Sequence, residues 1–356
     1  MATLTPIFSA AEIRTAQEFI NQSNNVVILT HMSPDGDAMG SSLAMRHFLE
    51  AQGKHVSVIV PNAFPDFLAW LPKADEDIIY ESRRAEADAL LEQADLVICT
   101  DFNDPKRIGS LGDKLLTLTC RKMMIDHHLH PSDFPDLTLS YPASPSTCEL
   151  VYRLISCLSP FASSPFASDI ATCIYTGMMT DTGNFSFNSN YPEMYQIVGE
   201  LVSFGVNKDE IYNRVFNAYS ADRMRLMGYC LYQKMRIFPE YHTALIYLSR
   251  KELYRFNFQS GDAEGIVNLP LQIKDIHYSC FMREDKVNPT EVALAGGSKT
   301  KIKISLRSQG NRPVNVFAKD IFGGGGHANA SGGEYYGPLP EAVQRFLDNY
   351  QDYFVL

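Results

Sequence analysis

Four short segments concentrate the residues best able to do chemistry. They are THMSPDGDAMG at 30–40, CTDFND at 99–104, IDHHLH at 125–130 and MTDTGNF at 179–185. Each lies directly downstream of an apolar run. Asp35, Asp37, Asp101 and Asp181 supply four negative charges, which two divalent cations would cancel. His31 and His127 would complete the shells as neutral imidazoles. A carboxylate and imidazole set without thiolate favours manganese, with magnesium, cobalt and iron as alternatives. Two such ions about 3.5–4 Å apart can hold a hydroxide and neutralise the entering and leaving oxygens of a phosphoryl transfer. Left without metals, neighbouring carboxylates repel and some protonate. Each segment alone has an ordinary explanation: D-x-D is commonly a solvated loop, and an aspartate after a strand is commonly a helix cap. Four in order, three of them after strand-like runs, argue for a site.

The surrounding elements explain how distant segments could meet. Ser9 to Glu12 fits a capping box, and Ile13, Phe19 and Ile20 give the following helix an apolar stripe. Val26–Leu29 is a continuous apolar run suited to a strand buried on both faces. Residues 38–52 read as a helix, Val56–Val60 as a strand, and Leu96–Cys99 and Met123–Ile125 as two more. Strand and helix in alternation imply a parallel sheet covered by helices. In such sheets ligands bind at the carboxyl ends of strands. His31, Asp101 and the Asp126–His127 pair each follow a strand end. Asp35 and Asp37 are expected in the loop after the first strand, with Pro34 and Gly36 bending it so that both carboxylates turn inward.

Residues 141–204 read as mainly helical, broken at 156–168 and by the loop Asp181–Pro192. Residues 206–225 are expected to link a first domain (1–205) to a second (226–356). In the second, His242–Ser249 reads as a strand. Lys301–Arg307 alternates strictly, so Ile302, Ile304 and Leu306 should face a core and Lys301, Lys303, Ser305 and Arg307 the other side. A solvated face is the usual explanation of such a row. Pro313 could open a short helix towards Phe322, stopped by Gly323–Gly326. The last helix puts Val343, Phe346, Leu347, Tyr350 and Phe354 on one face.

Bulk properties narrow the class. The chain has 356 residues, 45% hydrophobic and 20% charged, with a net charge of −10. That length allows two domains. No apolar run approaches the roughly 20 residues of a membrane span, and the first residues do not read as a signal peptide. Seven scattered cysteines without C-x-x-C suggest reduced, buried residues of a cytoplasmic protein. A negative chain is poorly suited to long duplex nucleic acid, which leaves small or short phosphorylated substrates.

The motifs resemble those of the DHH phosphoesterase family. H-x-x-x-D-G-D stands at His31–Asp37, a single aspartate at Asp101, D-H-H at Asp126–His128 and D-T-G at Asp181–Gly183. Gly323–His327 is similar to the glycine-rich signature of the DHH-associated C-terminal domain. The two-domain size resembles the nanoRNase and pAp phosphatase group, to which exopolyphosphatase-related proteins are kin. The resemblance implies that His31, Asp35 and Asp101 hold one manganese. Asp37, Asp101, His127 and Asp181 would hold the other, with Asp101 bridging. It implies that His128 faces the scissile phosphate, giving a proton or hydrogen bond, and that Asp126 orients the histidines. Relatives often carry a basic or polar substrate contact soon after D-T-G-x-F. Here Ser186, Phe187 and Asn188 follow Phe185 with no cation.

Arg307 lies in S-L-R-S at 305–308, which resembles the family's substrate-binding strand, and an arginine fork suits a terminal phosphate. Ser308, Gly324, Gly325, Gly326 and His327 join it as expected substrate contacts, the glycines by letting backbone amides approach an anion or base. A helix cap and turn is the plain alternative.

The fold expected is α/β: a doubly wound first domain with a mainly parallel sheet, a smaller second domain with a mixed sheet, and an active-site cleft between them. The activity expected is manganese-dependent hydrolysis of short RNA from the 3′ end, of 3′-phosphoadenosine 5′-phosphate (pAp), or of both. Alternatives are hydrolysis of linear or cyclic dinucleotides, polyphosphate or pyrophosphate, and a non-catalytic nucleotide sensor. No membrane partner is expected; a homodimer is left open.

Overall fold

A computed structural model of the chain describes residues 4–159, 164–259, 261–287, 298 and 300–354. It divides into two compact units, Met1–Ala218 and Tyr219–Leu356.

The first unit is built on six parallel strands: β1 (Asn25–Leu29), β2 (His55–Val60), β3 (Ile78–Ile79), β4 (Leu96–Thr100), β5 (Arg121–Asp126) and β6 (Leu137–Ser140). Their order is β3-β2-β1-β4-β5-β6. The chain leaves β1 to one side for β2 and β3, then returns to the other side for β4. The junction of β1 and β4 is therefore the switch point where an open α/β sheet leaves a crevice at its carboxyl edge. β1 from Val26 to Leu29 and β4 from Leu96 to Cys99 are apolar because both faces are covered. Ile28, Ile98 and Met123 enter one core, and Val27, Leu29, Val97 and Met124 the other.

Helices α1 (Ala10–Asn21), α2 (Gly36–Glu50), α3 (Tyr80–Gln93), α4 (Ser110–Thr117), α5 (Thr147–Leu158), α6 (Ala167–Asp181), α7 (Pro192–Ser203) and α8 (Lys208–Phe216) complete this unit. The capping box of α1 is present, with Ser9 and Glu12 as its two members. Helix α2 is buried all round from Gly36 to Leu49, because α5 and α6 pack on the side away from the sheet. Two glycines permit that crossing. A Cβ on Gly40 would sit 2.4 Å from Cys173 O, and one on Gly177 2.2 Å from Cys148 Sγ. Residues 206–225, expected as a linker, are largely helical: α8 lies in the first unit and α9 (Ala221–Tyr229) opens the second. Within the stretch 156–168, residues 160–163 lie outside the described residues.

The second unit is a mixed sheet of β7 (Arg236–Phe238), β8 (Thr243–Leu248), β9 (Tyr278–Lys286), β10 (Thr300–Ser308), β11 (Gly325–His327) and β12 (Ala330–Tyr336). The order is β11-β12-β10-β9-β8-β7, and only β8 and β9 run parallel. Ile302, Ile304 and Leu306 of β10 meet Phe317 of α11 (Asn315–Phe322) and Phe346 and Tyr350 of α12 (Leu339–Tyr353). Phe354 joins them from one residue beyond the helix. The opposite side of β10 is not a solvated row. Lys301 is only 3% exposed and pairs with Glu334 at 3.3 Å, while Lys303 lies 3.8 Å from Asp285. Strand alternation assigns a face; it does not say what covers it.

The glycine run has a packing role. Gly323 caps α11 in the left-handed conformation, at φ 61°. A Cβ on Gly324 would overlap Gly332 O. The rest of the run, Gly325–His327, is strand β11 rather than a turn. All seven cysteines are free, and the expectation of burial fails at Cys157, which is exposed, and at half-buried Cys120. Among the described residues no helix is long and apolar enough to cross a membrane.

Candidate metal centre

Three strand ends of the first unit bring their following residues to one point. His31 comes from the loop after β1, Asp101 from the residue after β4, and Asp126 and His127 from the end of β5. Asp101 stands in the middle. Its Oδ2 lies 3.2 Å from His31 Nε2, and its Oδ1 lies 3.6 Å from His127 Nε2 and 3.7 Å from His128 Nδ1. The backbone of Asp101 is left-handed, with φ 63°, a conformation that aspartate tolerates better than most residues. Its amide bonds Ile125 O at 3.0 Å, which swings the carboxylate across the sheet edge between β1 and β5.

Asp35 and Asp37 do not share a loop. Asp35 is the N-cap of α2, its Oδ1 accepting from the amides of Asp37 and Ala38, both at 3.1 Å. That cap draws Gly36 and Asp37 into the first helical turn. Asp35 Oδ1 reaches His31 Nε2 at 3.8 Å. Asp37 is fully buried and faces His127 Nε2 at 3.8 Å. Asp181, last residue of α6, lies 3.3 Å from the same nitrogen. The six residues expected as ligands thus gather in one cluster. Its donor atoms fall into groups around Asp101: with His31 and Asp35, with Asp37 and His127, and with Asp126 and His128.

Asp126 is tied to His128. Its Oδ1 lies 2.7 Å from His128 Nδ1 and its Oδ2 accepts the His128 amide at 2.8 Å. His127 Nδ1 lies 3.1 Å from Ser144 O. His31 Nδ1 sits against Met32 O at 2.9 Å. In the His31 and His127 rings Nδ1 is held by a carbonyl and Nε2 turns to the carboxylates, the arrangement that fixes a metal-binding tautomer.

The start of α5 also supports the cluster, and the sequence reading missed it. The amides of Thr147 and Cys148 donate to Asp37 at 2.6 and 2.8 Å, and Thr147 Oγ1 donates to Asp101 Oδ1 at 2.9 Å. A helix N-terminus favours a carboxylate there. The available signal was S-T-C-E at 146–149, where Ser146 caps α5 by accepting the Glu149 amide at 3.1 Å. Nothing in those letters says that two backbone amides grip a residue 110 positions earlier.

The electrostatics show what the cluster lacks. Burial opposes charge on every member. It prevails at Asp37, where Asp101 and Asp181 add repulsion and the carboxyl titrates well above the usual range. At His31 burial is outweighed by hydrogen bonds to Asp101 and Asp35, and the imidazole is pushed up to about 10. The same His31 contact overcomes burial at Asp35 and Asp101 and holds both below the carboxylate range. The raised values at His31 and Asp37 lessen the negative charge of the cluster, as cations would. A donor set of four carboxylates and two oriented imidazoles fits a pair of divalent ions.

The expected substrate contacts lie in the second unit. Arg307 of β10 and His327 of β11 are both in register with Ala330 of β12, so they share one sheet face. Gly326 is opposite Ser331 and Gly325 opposite Gly332. Ser308 donates to Arg312 O and accepts from Asn329 Nδ2 at 3.0 Å.

Comparison with known proteins finds two family domains in the chain. The N-terminal domain of the DHH family matches residues 25–178, and the DHHA1 domain matches residues 248–355. The chain is 28% identical over 324 residues to the bifunctional oligoribonuclease and PAP phosphatase NrnA of Thermus thermophilus, covering 91% of this chain and 88% of that protein. The crystal structure of an exopolyphosphatase-related protein from Bacteroides fragilis is 46% identical, with a TM-score of 0.88 over 98% of both chains. RecJ from Thermus thermophilus, crystallised with Mn2+, shares the fold at a TM-score of 0.54 and 13% identity, over 98% of this chain and 56% of that one.

Proposed function

The chain belongs to the DHH family and is a phosphoesterase, and from that premise we propose that it hydrolyses short oligoribonucleotides from the 3′ end, pAp, or both. The observation that carries this reading is Asp101, a single carboxylate set between His31 and His127 at the switch point of the sheet. The name of the Thermus thermophilus relative pairs the same two activities.

His31, Asp35 and Asp101 would hold one divalent ion, and Asp37, Asp101, His127 and Asp181 a second, manganese being our first choice. Bound together, such ions supply a water of lowered pKa and neutralise charge on the entering and leaving oxygens. The other tasks fall to the chain. Thr147 and the α5 amides keep Asp37 and Asp101 from swinging out of place. Asp126 fixes Nδ1 of His128, so that Nε2 is the nitrogen we assign to the substrate phosphate or leaving oxygen. Burial, with the positive charge of Arg107, lowers the His128 pKa; with Nδ1–H given to Asp126, Nε2 donates to a phosphate or leaving oxygen only in the imidazolium form, which a bound anionic phosphate would favour. Arg307, Ser308, Gly324, Gly325, Gly326 and His327 would bind the rest of the nucleotide. The phosphorus attacked is a diester in RNA and a monoester in pAp, but a ribose 3′ oxygen can leave in both, so one centre serves both.

The test is a panel assay with Mn(II) over pAp, RNA dimers to pentamers, cyclic dinucleotides, pyrophosphate and polyphosphate. Turnover of pAp or RNA dimers well above the other substrates is expected. Preference for cyclic dinucleotides or for inorganic chains would overturn the substrate assignment.

A further inference from the structure

Among the described residues of the first unit, three arginines are buried or half-buried: Arg46, Arg107 and Arg153. Arg46 is bound to Glu50 at 3.0 Å and lies 3.6 Å from Asp77. Arg153 is bound to Glu149 at 2.7 Å. The partly buried lysines are engaged as well, Lys73 by Glu50, Lys114 by Glu92, and Lys54 and Lys122 by backbone carbonyls. For the Arg107 guanidinium the described residues offer no hydrogen bond and no carboxylate within 4 Å. In a chain with a net charge of −10, a half-buried cation left unpaired is out of character, since desolvated charge is costly unless it is matched.

Its place in the fold is well fixed. Arg107 lies in the tight turn Pro105–Ile108, which Asp104 caps by accepting the Lys106 amide at 2.8 Å. The Arg107 amide donates to Asp104 O at 2.9 Å, and Arg107 O accepts the Met32 amide at 2.9 Å. Met32 follows His31, and the turn follows Asp101. The backbone of Arg107 is thus stitched between the two loops that deliver His31 and Asp101.

We propose that Arg107 is the phosphate-binding cation of the first unit, taking the non-bridging oxygens of the phosphate held beside His128. The charge balance calls for one: four carboxylates cancel two divalent ions, which leaves an incoming phosphate unmatched. A planar guanidinium fork suits two phosphate oxygens. Arg107 has this role only if the phosphoesterase site proposed above holds.

The full-length chain, loaded with Mn(II), tests it. Arg107→Ala should weaken binding of inorganic phosphate, read by calorimetry, by about tenfold or more, and raise the KM for pAp in parallel. The number of Mn(II) ions bound per chain should not change, and Arg107→Lys should recover part of the phosphate affinity. Phosphate affinity within twofold of the unsubstituted chain overturns the proposal. So does loss of Mn(II) binding in both variants, which would make Arg107 a structural residue. An unsubstituted chain that binds Mn(II) but neither binds phosphate nor cleaves any phosphoester overturns the functional reading, and Arg107 falls with it. Unchanged Arg107→Ala in an active enzyme overturns Arg107 alone.

Discussion

The two sheets of this protein gather polar residues in opposite ways. In the parallel sheet every strand ends at the same edge, so residues that follow β1, β4 and β5 meet there without sharing a strand or a helix. In the mixed sheet neighbouring strand ends mostly point in opposite directions. Its polar residues come together across a face instead, as Arg307 and His327 do on either side of Ala330. The charge balance differs too. The edge cluster has more carboxylates than cations and is left to rely on protons or metal ions. In the second unit Lys301 has Glu334, Lys303 has Asp285, and Glu252 has Lys234 at 2.8 Å. An edge can be left unbalanced because it opens to ligands, whereas a covered face must neutralise itself.

Three perturbations would break or sharpen this contrast. The largest effect is expected at the edge. Asp101→Ala should lower kcat/KM by about a thousandfold or more, roughly 4 kcal/mol of barrier, with an unchanged circular dichroism spectrum. Full Mn(II)-dependent activity in that variant would remove Asp101 from the centre. A smaller and different change is expected on the face. Arg307→Ala should raise KM by about tenfold and leave kcat nearly intact; a defect confined to kcat would contradict a binding role. The smallest concerns stability of the second unit. Burial works against ionised Glu252, but Lys234, Tyr229 and the Ser249 amide bring its carboxyl from 4.5 down to about 2. A group depressed in the folded state stabilises above its unfolded pKa, and that contribution fades as pH falls from 4.5 towards 2. The urea midpoint should fall over this window, and more steeply than in Glu252→Gln. Parallel curves for the two proteins would show that the pair contributes nothing.

The same contrast explains what was legible beforehand. An edge site leaves a linear trace: a buried strand is a continuous apolar run, and the functional residue comes next. His31, Asp101 and the Asp126–His127 pair could be found in this way, with β1, β4 and β5. Strand β3 has only two residues, and β12, ASGGEYY, lacks an apolar face, so neither left a pattern to find. The grip of α5 on Asp37 was hidden because backbone amides are the same whatever the side chain. Asp37 looked like a loop residue because Pro34 and Gly36 suggest a turn, yet the Asp35 cap starts the helix early. The solvated reading of Lys301 and Lys303 failed because partners on β9 and β12 are invisible to a strand read alone. Arg107 went unnoticed since a lone arginine in a turn has no signature until its lack of a partner can be seen.

Asp181 occupies an awkward position. Asp35 and Asp37 stand at the beginning of α2, where the helix field favours negative charge. Asp181 ends α6, where the exposed carbonyls make that field negative and a carboxylate costs about 0.3–1 kcal/mol, and no basic residue lies in the last turn. A metal ion held by Asp181 would reverse that penalty and act as the missing positive cap of α6. Binding of the ion would then be felt as local folding: the last turn of one helix, and the D-T-G loop that follows, would firm up or fray with the metal supply. The centre would regulate the order of its own wall.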